Sequence, residues 1–203
     1  MDNYVYIISS LPAIGPEGNG FSNELVQKVL SEIREQLSPR DNACLDFLEK
    51  GFEPESLDRE FYIEAAKSPN AFIREYFDFD RKLRNLKARW LNRAFDRPLE
   101  ENTIVLDEES DDDFEEAQAA EAILDGKDLL KRERSLDELV WDGIESRTVF
   151  EYFSFDVILA FAAKLNIVRR WLKLDEQTGR ELFRRLVSEI QSTFKGVEFE
   201  NKL

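Results

Sequence analysis

Residues 71–94 read A-F-I-R-E-Y-F-D-F-D-R-K-L-R-N-L-K-A-R-W-L-N-R-A, and large apolar side chains recur along them at alternating spacings of four and three. This pattern lines one face of an α-helix, so it predicts an amphipathic helix. Asn70 is the predicted N-cap, and the helix is expected to reach Phe95 before Pro98, which gives about 25 residues or roughly 37 Å. The apolar stripe consists of Phe72, Tyr76, Phe79, Leu83, Leu86 and Trp90.

Shorter helices are predicted before this long helix. They begin at the N-cap Ser22, after Asp41 and near Leu57. Gly51 is expected to end the second of them in the left-handed conformation that glycine tolerates. The first apolar run of the chain, Y-V-Y-I-I-S-S-L at residues 4–11, suits either a short strand or a buried helix.

Three more helices are predicted towards the C-terminus, over residues 114–125, 147–174 and 178–194. The middle one is apolar on most of its circumference, so it must be buried on several sides. Ser135 and Glu138 have the spacing of a capping box. The sequence therefore predicts a mainly all-α fold.

A charged segment separates two groups of helices. Residues 98–113 lack helical periodicity, and residues 107–116 include eight carboxylates in ten positions. Such a block of like charges repels itself and stays in solvent. We expect an N-terminal helical half at residues 1–97, an acidic mobile loop at 98–113 and a C-terminal helical half at 114–203.

An internal repeat links the two halves. Residues 75–80 read E-Y-F-D-F-D and residues 151–156 read E-Y-F-S-F-D, while residues 85–91 read N-L-K-A-R-W-L and residues 166–172 read N-I-V-R-R-W-L. Two matching blocks in the same order indicate two related helical bundles, although an aromatic stripe of independent origin is the alternative for the first block. The repeat scaffold positions are Tyr76, Phe77, Asn85 and Trp90 in the first copy and Tyr152, Phe153, Asn166 and Trp171 in the second.

The residue inventory offers little for catalysis. The chain has no His, a single cysteine at Cys44 and no glycine-rich loop of the kinds that bind nucleotide phosphates. We therefore expect no catalytic residue, no cofactor and no metal site. Two alternatives stay open: the carboxylates at 111–113 as ligands of Ca²⁺ or Mg²⁺, and a hydrolase that uses a carboxylate pair.

The net charge of -15 creates a field that repels phosphate backbones and anionic lipids. We expect no nucleic-acid partner and no direct membrane insertion. No stretch approaches the roughly 18 apolar residues of a membrane span, and residues 1–4 lack the basic start of a signal peptide. These features predict a cytoplasmic protein.

Positive charge is concentrated in one part of this acidic chain. Residues 81–97 contain seven basic side chains and one acidic side chain, Asp96. This basic edge is either a solvated helix face that the acidic loop neutralises in part, or a docking surface for an acidic partner. The candidate partner-binding residues are Arg81, Arg84, Lys87, Arg89 and Arg93.

The opening N-Y-V-Y-I-I-S-S-L-P, together with Y-F-D-F-D-R-K-L-R-N-L-K-A-R-W-L-N-R at residues 76–93, resembles a bacterial family of about this size that is encoded beside V/A-type ATPase genes. The second stretch is also similar to an Asn-Leu and Arg signature in the helical repeats of the C-type protein of the central stalk, called d in eukaryotes. In that family, three repeats form a funnel that sits on the membrane rotor ring and receives the rotor shaft. This chain shows only two repeats.

The resemblance implies a non-catalytic subunit or assembly factor of a V/A-type ATPase, a reduced form of the C-type stalk protein that couples the rotor shaft to the membrane ring. Its location would be cytoplasmic and peripheral to the inner membrane. Charge reversal at Arg81, Arg84, Arg89 and Arg93 is expected to abolish binding to rotor subunits while the protein stays folded. The alternative is a free-standing regulatory adaptor that binds helices of a protein unrelated to the ATPase.

Overall fold

The computed structural model describes residues 4–18, 20–106, 114–173, 185 and 187 of the 203-residue chain. Within these residues the chain forms eight α-helices, one short 3-10 helix and no strand, so the predicted all-α fold is confirmed. The helices are α1 (Tyr4–Ser10), α2 (Asn23–Gln36), α3 (Pro39–Lys50), α4 (Arg59–Ala66), α5 (Ala71–Ala94), α6 (Ala117–Leu124), α7 (Leu129–Thr148) and α8 (Phe155–Lys173), and the 3-10 helix spans Pro54–Ser56.

The N-caps explain where several helices begin. Ser22 and Asn70 accept hydrogen bonds from the backbone N–H groups three residues later, so both predicted caps are confirmed. Helix α3 begins before the predicted Asp41 because the hydroxyl of Ser38 caps it. The strand alternative for the first apolar run is wrong, since that run forms α1.

Two predicted helix signals in the C-terminal half are wrong. Ser135 does not cap a helix, because it lies inside α7, whose N-cap is Asp128. The predicted continuous helix over residues 147–174 is also wrong, because α7 ends at Thr148 and α8 begins only at Phe155. The helix predicted over residues 178–194 lies outside the described residues apart from two isolated positions.

Gly51 follows α3 for a different reason from the predicted one. Its φ is -71°, so no left-handed conformation is involved. A Cβ atom at this position would stand 2.3 Å from the ring of Phe77 and 2.9 Å from the ring of Phe61. The glycine is therefore needed because two aromatic rings press against its Cα.

The left-handed residue that closes a helix is instead Asp96, with a φ of 53°, at the end of α5. The N–H of Arg97 donates to the carbonyl of Asn92 at 2.9 Å, and the N–H of Asp96 donates to the carbonyl of Arg93 at 3.5 Å. These two bonds form a Schellman motif, which stops α5 one residue before the predicted Phe95.

The larger hydrophobic core combines residues from α1, α2, α3, α4, α5, α7 and α8. Helix α8 lies at its centre and packs against α1, α2, α3, α5 and α7. The rings of Phe47, Phe61 and Phe77 meet in stacked and edge-to-face contacts with centroids 4.8 to 5.9 Å apart. Helices from both predicted halves of the chain thus share this core.

A smaller core lies on another side of α5. There Phe79, Leu83 and Leu86 pack against buried residues of α6 and α7 and against Phe114. Helix α5 is consequently held between two cores along most of its length, which fixes its direction in the protein. No described helix is long and apolar enough to cross a membrane.

Candidate functional site

The predicted basic edge lies on α5, and its cations already contact carboxylates of the same chain. Arg81 is fully buried, and its Nη2 donates to Asp78 at 2.8 Å while its Nη1 donates to the carbonyl of Ile104 at 3.4 Å. Arg84 donates through Nε to Asp80 at 2.7 Å. Arg81 is therefore a part of the core and not a surface residue.

Of the remaining candidate residues, Arg89 and Arg93 also form ion pairs with carboxylates of the same chain. Arg89 bonds Glu100 with both Nε and Nη2, and Arg93 reaches Glu121 at 3.2 Å. Lys87 is half-buried and has no ion-pair partner in the described part of the chain. Four of the five candidate residues thus form ion pairs within the protein, and Lys87 is the exception among the described residues.

A strap, residues 98–106, runs along α5 and forms one wall of this region. It belongs to the segment predicted as a mobile acidic loop; residues 107–113 of that segment lie outside the described residues. The side-chain amide of Asn85 donates to the carbonyl of Ile104 at 2.8 Å and accepts from its N–H at 2.8 Å. The amide of Asn92 donates to the carbonyls of Leu99 and Glu101.

Sequence reasoning missed Asn92. The available signal was the repetition of asparagine, a poor helix former, at positions 85 and 92 of a helix. Positions seven apart lie on one helix face, so they indicate a row of amides that bonds backbone outside the helix. Both amides in fact do so, because they satisfy backbone groups of the strap that no helix or strand pairs.

An open cleft of about 330 Å³ lies between the strap and α5. Arg81, Arg84 and Lys87 line it, and so does Tyr62, whose hydroxyl donates to Asp80 at 2.7 Å. Burial, together with the charge of Asp80, raises the pKa of Tyr62, so its phenol stays neutral and protonated in the physiological range. The cleft therefore presents cations and a neutral hydroxyl.

The aromatic turn, residues 149–153, joins α7 to α8 and is the most exposed apolar segment described. Its side chains Val149, Phe150, Tyr152 and Phe153 are between 56% and 86% exposed. The sequence predicted these aromatics in a buried helix, and that prediction is wrong because the helix is interrupted here. The amide of Asn70 bonds Asp156 at 2.6 Å, which puts the turn beside the N-terminus of α5.

A second apolar surface lies at the other end of α5. The distal apolar set comprises Leu91, Phe95 and Leu99, whose side chains are between 45% and 65% exposed. Helix α5 has 24 residues and is roughly 36 Å long, so it separates this set from the aromatic turn. Helix α7 runs antiparallel to α5, since Arg147 covers Phe79 and Arg132 covers Trp90.

The repeat scaffold positions are only partly equivalent in space. Tyr76 and Phe77 are buried in the middle of α5, whereas Tyr152 and Phe153 are exposed in the aromatic turn. Trp90 and Trp171 are more alike. Each indole N–H donates to an aspartate of another segment, and each ring lies under an arginine.

The second-copy asparagine differs from the first. Asn166 accepts a hydrogen bond from Arg169 within its own helix at 3.2 Å, whereas Asn85 bonds the backbone of the strap. The scaffold residues of the second copy therefore reproduce the tryptophan contacts of the first and not its asparagine contacts.

Groups with reactive or metal-binding chemistry are few. The described ranges contain no group of three or more His, Cys, Asp or Glu side chains that could hold a metal ion. Burial, and the nearby Asp156 and Asp41, raise the pKa of the Cys44 thiol to about 11, so the thiolate is scarce at neutral pH. The carboxylates at 111–113 lie outside the described residues.

Comparison with known proteins gives one finding. No curated protein matches the chain, and no solved structure matches it. A family model matches residues 53–194, which include the strap, the aromatic turn and all of α5. The chain therefore belongs to the family described as Protein of unknown function (DUF2764).

Proposed function

We propose that this protein is a non-catalytic subunit or assembly factor of a V/A-type ATPase, which couples the rotor shaft to the membrane ring as the C-type stalk protein does. One observation carries the proposal beyond the sequence resemblance: two exposed apolar surfaces lie at opposite ends of one rigidly held helix, α5. A coupler needs two contact surfaces at a fixed separation. A partner that enters a single groove needs only one.

The aromatic turn has the composition of a binding surface. Three aromatic side chains and a valine within five residues are left in water, although burial of each would contribute about 1.5–3 kcal/mol. Aromatic residues are also the side chains that most often dominate the energy of protein interfaces. The turn is thus suited to insertion into an apolar site on another subunit.

The mechanical part of the proposal depends on α5. One face of the helix packs on Phe47 and Phe61 through Phe77, and another packs on α6 and α7. The strap adds a third set of contacts through Asn85 and Asn92. Because the helix is held on three sides, displacement at one end moves the other end with it.

The proposed partners are the rotor shaft at one end and proteins of the membrane ring at the other. The protein would then be cytoplasmic and held at the inner membrane by the ATPase. The basic edge supports this arrangement less than expected from sequence, because Arg81 is buried against Asp78. Reversal of the charge of Arg81 would bury a second carboxylate beside that aspartate. Charge reversal at Arg81, Arg84, Arg89 and Arg93 together is therefore expected to unfold the protein.

A sharper test removes the aromatic turn. The double variant Phe150→Ser and Phe153→Ser should keep its thermal midpoint, since both side chains are exposed. Tagged wild-type protein, purified from native membranes, should bring V/A-type ATPase subunits with it, and the double variant should recover at least about tenfold less of them.

The matched control is Tyr6→Ser, which removes an aromatic side chain of similar exposure from α1. This control should recover the ATPase as well as the wild type does. Equal recovery with the double variant would remove the aromatic turn from the proposal. Isolation with an unrelated protein and no part of the ATPase would favour the free-standing adaptor.

A further inference from the structure

The cleft between α5 and the strap has a lining of unusual charge for this protein. The chain carries a net charge of -15, yet the cleft is lined by three cations and by no carboxylate among the described residues. Its other lining residues are apolar or neutral. They are Pro54, Leu57, Tyr62, Asn85, Ala88, Leu91, Asn102 and Ile104.

The basic side chains around the cleft differ in their ion pairs. Asp78 binds Arg81 and Lys82, and Asp80 binds Arg84. Lys87 adds a fourth cation that no described carboxylate pairs. Within the described residues, Lys87 is therefore a cation of the cleft that remains available to an anionic ligand.

Hydrogen-bond donors remain available on the cleft wall. Arg84 uses its Nε for Asp80, and no described residue takes a bond from its two terminal amino groups. The ammonium group of Lys87 offers three more donors. Such groups recognise the oxygens of phosphate or carboxylate through charge-assisted hydrogen bonds.

The remaining wall of the cleft is apolar. Leu57, Ala88 and Leu91 line it together with Pro54 and Ile104, so a bare inorganic anion would leave this surface without contacts. The cleft volume of about 330 Å³ lies within the range of small-molecule sites. A ligand that uses both walls has an anionic group on an apolar body.

We infer that the cleft between α5 and the strap binds a small organic oxyanion, with its phosphate or carboxylate group on Lys87 and Arg84 and its apolar part against Leu57, Ala88 and Leu91. The site goes beyond the proposed coupler function and does not depend on it. Because Asn85 on α5 is hydrogen-bonded to Ile104 of the strap, a bound ligand would also stabilise the strap in its position along α5.

The test uses phenyl phosphate as the probe and the full-length protein. In a titration followed by ¹⁵N NMR, the resonances of the Asn102 side-chain amide and the Ile104 backbone amide should change their chemical shifts until the site is saturated. We expect a Kd on the order of 1 mM. Inorganic phosphate should bind about tenfold more weakly, because it lacks the apolar contact. Phenol, which lacks the charge, should cause no saturable shift at these residues.

Two variants locate the anionic group. Lys87→Gln should weaken phenyl phosphate binding about tenfold, as expected for loss of one charge-assisted bond. Lys82→Gln removes the same charge from the same helix but does not line the cleft, so its effect should be clearly smaller. Phenyl carboxylate, that is benzoate, should compete with phenyl phosphate and so cover both kinds of oxyanion.

Several results would overturn the inference. Absence of any saturable shift at ten times the expected Kd would exclude the site. Equal affinity for phenyl phosphate and inorganic phosphate would show that the apolar wall does not contact the ligand. An unchanged Kd for phenyl phosphate in Lys87→Gln would show that Lys87 does not bind its anionic group. Recovery of ATPase subunits is measured independently, so failure here leaves the coupler proposal to its own test.

Discussion

Residues 75–80 and 151–156 differ at a single position, Asp78 against Ser154, yet they occupy opposite environments. In the first copy Phe77 is 1% exposed in the middle of a helix, and in the second copy Phe153 is 57% exposed in a turn. The same short motif thus serves as core in one place and as surface in the other. A local pattern of aromatics does not by itself decide burial.

The residues around each copy account for the difference. Asp78 is followed by Arg81 and Lys82, which bond it across one helical turn at 2.8 Å each and so favour a continuing helix. Ser154 takes the place of Asp78 and lies directly before α8, and its buried hydroxyl forms no hydrogen bond with any described residue, so the second copy has no such pairs. The second copy therefore begins a helix and leaves its first aromatics outside.

Among the paired positions of the two copies, Phe77 and Phe153 are expected to differ most in the free energy of unfolding that their replacement by alanine costs. Phe77→Ala should lower the free energy of unfolding by about 3–5 kcal/mol, because it leaves a cavity beside Phe47 and Phe61. Phe153→Ala should change it by less than about 0.5 kcal/mol, as is usual for an exposed site. Urea unfolding followed by circular dichroism measures both, and similar losses would show that the turn is packed in solution.

A smaller difference is expected for the two asparagines. Asn85→Ala should cost about 2–3 kcal/mol, because the N–H and carbonyl of Ile104 lose their partner in a part-buried place. Asn166→Ala should cost about 0.5 kcal/mol, since it removes one hydrogen bond within a helix.

Hydrogen exchange sharpens the asparagine prediction. The amide of Ile104 should exchange much faster in Asn85→Ala, and its rate should be unchanged in Asn166→Ala. If the amide of Ile104 exchanges as fast in the wild type as in Asn85→Ala, the hydrogen bonds from Asn85 do not hold the strap on α5.

The tryptophans should show the smallest difference, because their environments are alike. Arg132 lies 5.2 Å from the centre of the Trp90 ring, and Arg134 lies 4.0 Å from that of Trp171. Replacement of either arginine by alanine should cost roughly 0.5–1 kcal/mol and alter tryptophan fluorescence. A loss above about 2 kcal/mol in only one of the two variants would mean that the second sequence block is not structurally equivalent.

The parts of the fold that depend on neighbouring residues could be predicted from sequence. The N-caps Ser22 and Asn70 bond backbone groups only three residues away, and the stripe of α5 follows the helical period. The break between α7 and α8 could not be predicted, because its aromatics suit a buried helix equally well. Whether Phe150 is covered depends on neighbours that are distant in sequence.

The candidate sites were predicted in part, for the same reason. The basic residues of α5 were visible as a cluster, but the burial of Arg81 depends on Ile104, 23 positions later. Asn85 was identified as a scaffold position, while its partner could not be. The cleft needs the strap, α5 and the turn at Pro54–Ser56 together, and no local spacing relates those three segments.

Helix α5 is proposed to connect two binding surfaces for different subunits. The most direct test places the photo-reactive amino acid p-benzoylphenylalanine at position 150 in one protein and at position 95 in another, and irradiates both in native cells. We expect cross-links to two different V/A-type ATPase subunits, one from each position. Cross-links from both positions to the same protein, or to no part of the ATPase, would contradict this role.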